Sequence, residues 1–304
     1  MPAPGPPRLS WANYGLLVVG IVGVSMSGPI MAGAVAVPAL AISMWRTGLG
    51  AVAVAPVALH RSRTELRRLT RQDYAQCLVA GLMLACHFAA WASSLRYTSV
   101  ASATALVCLQ VAWIVLLSRL SGQVIARRVV IGLAVALAGV LVVSGVDLTV
   151  SSRAITGDAL AVLGGVFGAA YVVVGSRIRT RLSTTAYTFV CYASCAGILL
   201  VSCAVAGVEI VSYDAKSWGL IVTVTVASQL LGHSVFNHLL AVMSPTVISM
   251  VLLLEVPGAA LLAAVFLGQA PPVAVYAGLV LVFTGLALVV TAGSASPPTE
   301  AILD

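Results

Sequence analysis

Apolar residues run along this chain in blocks of about twenty, separated by short polar or arginine-bearing turns. A helix needs about 20 apolar residues to cross a bilayer, whereas a membrane strand alternates residue by residue over about ten. No such alternation is present, so the pattern predicts helices. Reading the breaks gives ten spans: Trp11–Ala34, Pro38–Leu59, Tyr74–Leu95, Thr98–Leu117, Val129–Val146, Gly157–Ser176, Thr185–Gly207, Trp218–Asn237, Pro245–Leu267 and Val273–Ala292. The expected fold class is an all-α integral membrane protein.

Composition sharpens this picture. Of 304 residues, 61% are hydrophobic and 8% are charged, against about 25% charged in a soluble domain. So few charges cannot wet the surface of a soluble globule, and the net charge of +7 is no sign of a nucleic-acid partner. The arginines instead report orientation. One side collects twelve basic residues: Arg8, Arg61, Arg63, Arg67, Arg68, Arg71, Arg119, Arg127, Arg128, Arg177, Arg179 and Arg181. The other has three, Arg96, Arg153 and Lys216. Both termini are expected in the cytoplasm. Ala32-Gly33-Ala34 resembles a small-residue cleavage site, but the apolar stretch before it is long and the region ahead of that stretch has one basic residue, Arg8, so the first span reads as a retained helix.

A shift of 146 residues superposes two halves of the chain. Gly122-Gln123, Gly132-Leu133 and Gly139 fall on Gly268-Gln269, Gly278-Leu279 and Gly285, and His87 falls on His233. Five helices make an odd repeat, so the two copies must lie upside down to one another. The expected organisation is a cytoplasmic tail (1–10), a first five-helix repeat (11–147), a second (157–292) and a cytoplasmic tail (293–304). Inverted repeats with a midplane site between them are a recurring architecture of secondary transporters. Gly164 and Gly168 form a small-xxx-small pair, and Gly15, Gly20, Gly23 and Gly28 thin the first helix. Such residues suit close helix packing inside the bundle or a homodimer face.

Two charges are expected deep in the bilayer, Arg46 and Glu255, each costing about 2.5–3.5 kcal/mol on insertion scales. Either they pair, or backbone carbonyls hold Arg46, or the two line a wet cavity. Pro257 frees the carbonyl of Leu253. Gln229, His233 and Asn237 recur every four residues and predict one polar stripe on the eighth helix; His87 and Trp91 do the same on the third. Gln110, Ser25 and Tyr171 are further polar candidates. Enzyme readings lack their residues: no aspartate lies mid-span, and HExxH, paired CxxC and Walker sequences are absent. Six cysteines, Cys77, Cys86, Cys108, Cys191, Cys195 and Cys203, fall within spans and read as small reduced side chains. Neither a metal site nor a cofactor is expected.

At these residues the chain resembles the EamA-type family of the drug/metabolite transporter superfamily, over both halves. His87-Phe88-Ala89-Ala90-Trp91-Ala92-Ser93-Ser94-Leu95-Arg96-Tyr97-Thr98-Ser99-Val100 resembles that family's junction of third and fourth helices. Leu231-Gly232-His233-Ser234-Val235-Phe236-Asn237, Ser244-Pro245-Thr246 and Leu254-Glu255 resemble its eighth and ninth helices, and Arg46 stands where the family usually has an arginine. Two departures stand out. Gln123 and Gln269 replace the glutamate of the family's Gly-Glu, and Val256 intervenes between Glu255 and Pro257, where the family has proline directly.

The resemblance implies ten helices in two inverted five-helix repeats, cytoplasmic termini, and export of amino acids or other small metabolites. The expected function is therefore an alternating-access carrier in the cytoplasmic membrane, moving a small polar metabolite outward. Arg46, His87, Trp91, Gln110, Tyr171, His233, Asn237 and Glu255 are the candidate substrate-binding residues. Arg46 suits a carboxylate or phosphate, and Glu255 suits an amine or a coupling proton. Drugs, nucleosides and sugars remain open as substrates, as does a non-transporting receptor or scaffold.

Overall fold

The computed structural model describes residues 10–120, 122, 124–145, 151–268 and 273–293. The terminal segments, Arg8, Gln123, Val146 and Gln269 lie outside the described residues. Within them the chain is helical, without strands. In order the helices are α1 (Trp11–Gly33), α2 (Ala39–Arg61), α3 (Arg71–Ser94), α4 (Val100–Leu120), α5 (Arg127–Gly145), α6 (Ser152–Arg179), α7 (Thr184–Val205), α8 (Ala215–Leu239), α9 (Pro245–Leu267) and α10 (Val273–Gly293). All but α5 and α10, eight among the described residues, are long and apolar enough to cross a membrane. A short helix, Arg63–Arg68, joins α2 to α3.

Polar caps set the starts. Ser99, Ser151, Ser183, Asp214 and Ser244 each accept a backbone N–H from the first turn, and Thr70 with Asp73 forms a reciprocal capping box at α3. Reading starts from apolar runs alone trims these polar first turns, which is why α6 begins at Ser152 rather than Gly157. Stops are marked by Gly122 and Gly268, repeat mates that both take positive φ (84° and 66°). A side chain there would be strained, so the recurrence of glycine has a backbone cause.

Three helix pairs run antiparallel through glycine contacts. A methyl group on Gly139 of α5 would lie 2.5 Å from the carbonyl oxygen of Gly278 and 2.8 Å from the nitrogen of Val282 on α10. A methyl on Gly285 would meet Gly132 and Ala136 in the same manner. Gly139 with Gly278 and Gly285 with Gly132 are the same contact under the 146-residue shift. Gly20 abuts Phe236, and Gly23 abuts Ala227 and Gly232, which sets α1 against α8. Gly157, Gly164 and Gly168 set α6 against Tyr97 in the turn after α3 and against Trp91 and His87 of α3 itself. Gly164 and Gly168 thus serve packing within the chain and are no dimer face.

Four of the helices are interrupted. α1 is interrupted at Met26, and α4 breaks at Cys108 and Leu109. α9 breaks at Leu253 and Leu254, 146 residues or so beyond the α4 break. α8 is π-helical over Thr225–His233, with Ser234 N–H donating to the carbonyl of Gln229. The α4 and α9 breaks meet, because the Cys108 thiol lies 3.7 Å from the carbonyl oxygen of Leu252.

The basic segments gather at one end. Ser62 lies 3.3 Å from Ser183, Glu65 accepts the Ser183 backbone N–H at 2.6 Å, and Arg181 reaches Asp73 at 3.3 Å. At the other end Arg96 and Arg153 meet, Arg153 donating to the Arg96 carbonyl at 2.9 Å.

Candidate functional site

A cavity opens where the interrupted helices converge. Its walls come from α1 (Val24, Ser27), α3 (His87, Phe88, Trp91), α4 (Gln110), α6 (Tyr171), α8 (His233, Asn237) and α9 (Glu255), among others. Each half of the chain supplies three helices. The cavity volume is about 50 Å³, room for about three or four waters. Typical ligand pockets span about 300–1,000 Å³, so a metabolite must widen it.

Seven of the eight expected residues border this cavity: His87, Trp91, Gln110, Tyr171, His233, Asn237 and Glu255. Their orientations are fixed by the bundle. His87 Nδ1 is 2.8 Å from the carbonyl oxygen of Gly164, which can only accept, so Nδ1 carries a proton and donates it there. The absence of a side chain on Gly164 and Gly168 permits this approach of α3 to α6. Trp91 stacks nearly parallel to His87, 8° between planes. The repeat-mate histidines face each other, His87 and His233 having ring centroids 6.3 Å apart. Tyr171 donates its hydroxyl to Asn237 Oδ1, and Asn237 Nδ2 reaches Thr188 at 3.4 Å. Trp91 Nε1 is buried without a partner among the described residues. A buried orphan donor on a cavity wall is a group that water or a ligand can satisfy.

Glu255 opens the second segment of α9, just after its break. A helix N-terminus presents unsatisfied N–H groups and a partial positive charge, which favour a carboxylate placed there. The Leu253 carbonyl that Pro257 deprives of a partner accepts the N–H of Val256 at 3.2 Å instead, so the break costs no backbone bond there. Gln110 stands at the matching place on α4, the first residue after that helix's break.

Arg46 departs from expectation. It is fully buried and lies behind the wall. Its Nε donates to Gln229 Oε1 (3.0 Å), and Nη1 to Ser27 Oγ (2.8 Å) and Met31 Sδ (3.4 Å). The guanidinium carbon sits 4.2 Å from the centroid of Phe88. Among the described residues no ion pair joins it to Glu255, and its contacts are side chains rather than backbone carbonyls. The expected stripe on α8 is split accordingly. π-Helical winding turns Gln229 to Arg46 while His233 and Asn237 face the cavity, a local register change that a spacing rule for α-helices cannot anticipate. Ser27 and Phe88, the wall residues that touch Arg46, escaped the sequence reading because neither is unusual in an apolar helix. Ser25 is buried beside Gly258 and does not border the cavity. All six cysteines are free.

A family model for EamA-like transporters matches residues 11–145 and again 155–291. A crystal structure of another protein is similar over 92% of this chain and 97% of its own length, with a TM-score of 0.75. At 19% identity that likeness speaks to the fold alone. No curated protein matches the chain. With two matches that together span nearly its whole length, the chain belongs to the EamA-like transporter family, within the drug/metabolite transporter superfamily.

Proposed function

We propose that this protein is a secondary carrier of the cytoplasmic membrane that exports a small polar metabolite, such as an amino acid, by alternating access. Membership of the family makes it a multi-pass transporter embedded in lipid and acting on small molecules. The finer reading has ten spans in two inverted five-helix repeats, with both termini cytoplasmic. The antiparallel α5–α10 pair supports it: two helices related by the repeat shift, crossing through shift-related contacts, are what an in-plane pseudo-two-fold requires. The collection of arginines at one end supports the orientation.

The observation that carries the proposal is the cavity itself, walled by α1, α3 and α4 of one half and α6, α8 and α9 of the other. Rocking one set against the other around a fixed site alternates access. His87, Trp91, Gln110, Tyr171, His233 and Asn237 bind the substrate's polar groups and rings. Glu255 binds an amine or carries the coupling proton. Arg46 contributes its field and holds Ser27 and Phe88 in place.

Uptake of labelled amino acids, nucleosides and sugars into proteoliposomes, with and without an imposed pH gradient, tests this. The reading expects saturable uptake of one class that follows the gradient, and loss of gradient dependence in Glu255→Gln. Gradient-indifferent uptake with full rate in that variant refutes coupling at Glu255. Absence of saturable flux for every class refutes the carrier.

A further inference from the structure

Two arginines outside the cavity make a matched set of contacts at opposite ends of the bundle. Arg179, the last residue of α6, is buried. Its Nε donates to the main-chain carbonyl of Asn237 at 2.9 Å, Nη1 to the carbonyl of Leu182, and Nη2 to Thr184 Oγ1 at 2.7 Å. The Asn237 carbonyl belongs to the last turn of α8. Ala241 N–H, its α-helical partner, turns to His238 instead, so Arg179 satisfies an orphan acceptor. At the other end Arg96, just past α3, donates Nη2 to the carbonyls of Ala34 (3.0 Å) and Val37 (2.6 Å) beyond the last turn of α1. Arg179 therefore caps the C-terminal end of α8, and Arg96 ties down the turn that follows α1, the other helix of the antiparallel pair.

The repeat relation makes these the same joint seen twice. Under the 146-residue shift the α1–α2 turn corresponds to the α6–α7 turn, and the α3–α4 turn to the α8–α9 turn. Arg96 reaches from the α3–α4 turn to the α1–α2 turn. Arg179 reaches from the α6–α7 turn to the end of α8, beside the α8–α9 turn. Sequence does not carry one arginine onto the other, since Arg96 falls on Val242 and Arg179 on Gly33. The two joints are closed by the same chemistry supplied from opposite partners.

The Arg179 joint borders the cavity. Asn237, held at its carbonyl by Arg179, lines the cavity with its side chain. Arg96 lines a separate open recess of about 470 Å³ at the other end, with Val37, Pro38 and Arg153. Arg153 props it, donating to its carbonyl and lying 5.7 Å over Tyr97.

We propose that Arg179 and Arg96 are the two gate latches of the carrier, each sealing one end of the central cavity, Arg179 by capping α8 and Arg96 by tying down the turn after α1. Both arginines have their bonds made in this structure. Opening one end requires breaking one arginine's bonds while the other's persist. Because Arg179 grips the backbone of a cavity residue, a substrate that pulls on the Asn237 amide also strains that latch. This inference rests on the carrier reading.

The test is side-specific accessibility. Val107 borders the cavity, and Val107→Cys in the full chain gives a reporter for a membrane-impermeant maleimide, with the unmodified chain as blank. Labelling is compared in intact cells and in inverted membrane vesicles. Arg179→Gln is expected to raise the labelling rate about tenfold or more from one face only, the shift that loss of one charge-assisted bond produces. Arg96→Gln is expected to do so from the opposite face only. Arg179→Lys and Arg96→Lys, which keep the charge and lose the planar fork, fall between. Thermal stability in detergent is measured for each variant, so that general loosening, which raises labelling from both faces alike, is recognised. Equal changes from both faces, or no change from either in a stable variant, overturn the latches. A chain that labels as expected yet moves no substrate leaves the latches standing and overturns the carrier.

Discussion

Replacing Gln229 by leucine should destabilise this protein more than replacing Arg46 by methionine, although arginine is the charged member of the pair. Arg46 is wholly buried, and Gln229 Oε1 accepts from its Nε at 3.0 Å. Gln229→Leu keeps the volume and strands the Nε–H beside an apolar group. A hydrogen bond to a charged group is worth about 1.5–3 kcal/mol, and that is the expected loss. Arg46→Met removes the same bond, the Ser27 bond and the cation–π contact with Phe88. It also lifts the desolvation penalty of a buried ion, which amounts to several kcal/mol. The net change in stability should therefore be within about 2 kcal/mol of zero. The double variant should regain most of what Gln229→Leu loses, a coupling of about 1.5–3 kcal/mol. Reversible unfolding in lipid–detergent micelles, scored for both single variants and the double, measures it. If Arg46→Met is the more damaging change and the two effects add, Arg46 is not a stranded charge held by Gln229, and its burial needs another partner. Transport separates the roles further. Arg46→Met should abolish it even where stability is kept, because the charge behind Phe88 and Ser27 is gone.

Other contacts give independent checks. Gly285→Ala and Gly139→Ala push a methyl into backbone atoms of the facing helix, which cannot step aside, so each should cost about 1–3 kcal/mol of stability, and near-equal losses are expected from repeat mates. Gly168→Ala brings a methyl within 2.9 Å of His87 Nδ1 and 2.6 Å of Gln110 Oε1. Those side chains must move, and transport should fall about tenfold, equivalent to about 1.4 kcal/mol of misplaced binding. The loop between α7 and α8 should respond to acid. Backbone N–H groups of Val211, Ser212 and Ile210 hold the Glu209 carboxyl below its ordinary range, so its contribution is present above about pH 4.3 and is lost as pH falls through its lowered value. Ile210 accepts from Trp45 Nε1 at 2.6 Å, and Trp45 packs edge-on against Trp218. Tryptophan fluorescence should therefore shift on acidification, and Glu209→Gln should show the shifted spectrum already at neutral pH.

The extent to which this molecule was legible from sequence differs between its backbone and its side chains. Apolar run length is a strong signal because lipid tolerates no unpaired backbone, so apolar helices could be located from the sequence with ends displaced by a turn where a polar cap begins them. Gly122 and Gly268 were visible as a repeat, and the structure supplies their cause in a positive φ. Scarcity helped with the cavity. In a chain with so few polar residues inside its spans, each one is costly, and seven of those singled out converge on one space. Scarcity failed where a residue's position had a second explanation. Arg179 sits at the end of a span on the arginine-rich side, where a topology signal already accounts for it. Only the geometry reveals that its guanidinium is buried and reaches the Asn237 carbonyl.

Arg46 shows the converse. Being deep in a span marked it correctly as exceptional, yet periodicity could not say which way it points, because its partner Gln229 is turned by a π-helical stretch that no four-residue spacing encodes. The same stretch ends at His233, so one backbone irregularity divides two polar residues between two tasks. Gln229 faces the buried cation, and His233 faces the cavity. π-Bulges concentrate at functional sites because the widened turn displaces side chains that a regular helix would align. Restoring regular winding by deleting one residue of the π stretch should rotate one of these two residues away from its task. The α8 irregularity is then a condition of the site, and the Arg46–Gln229 bond is what holds it in place from behind.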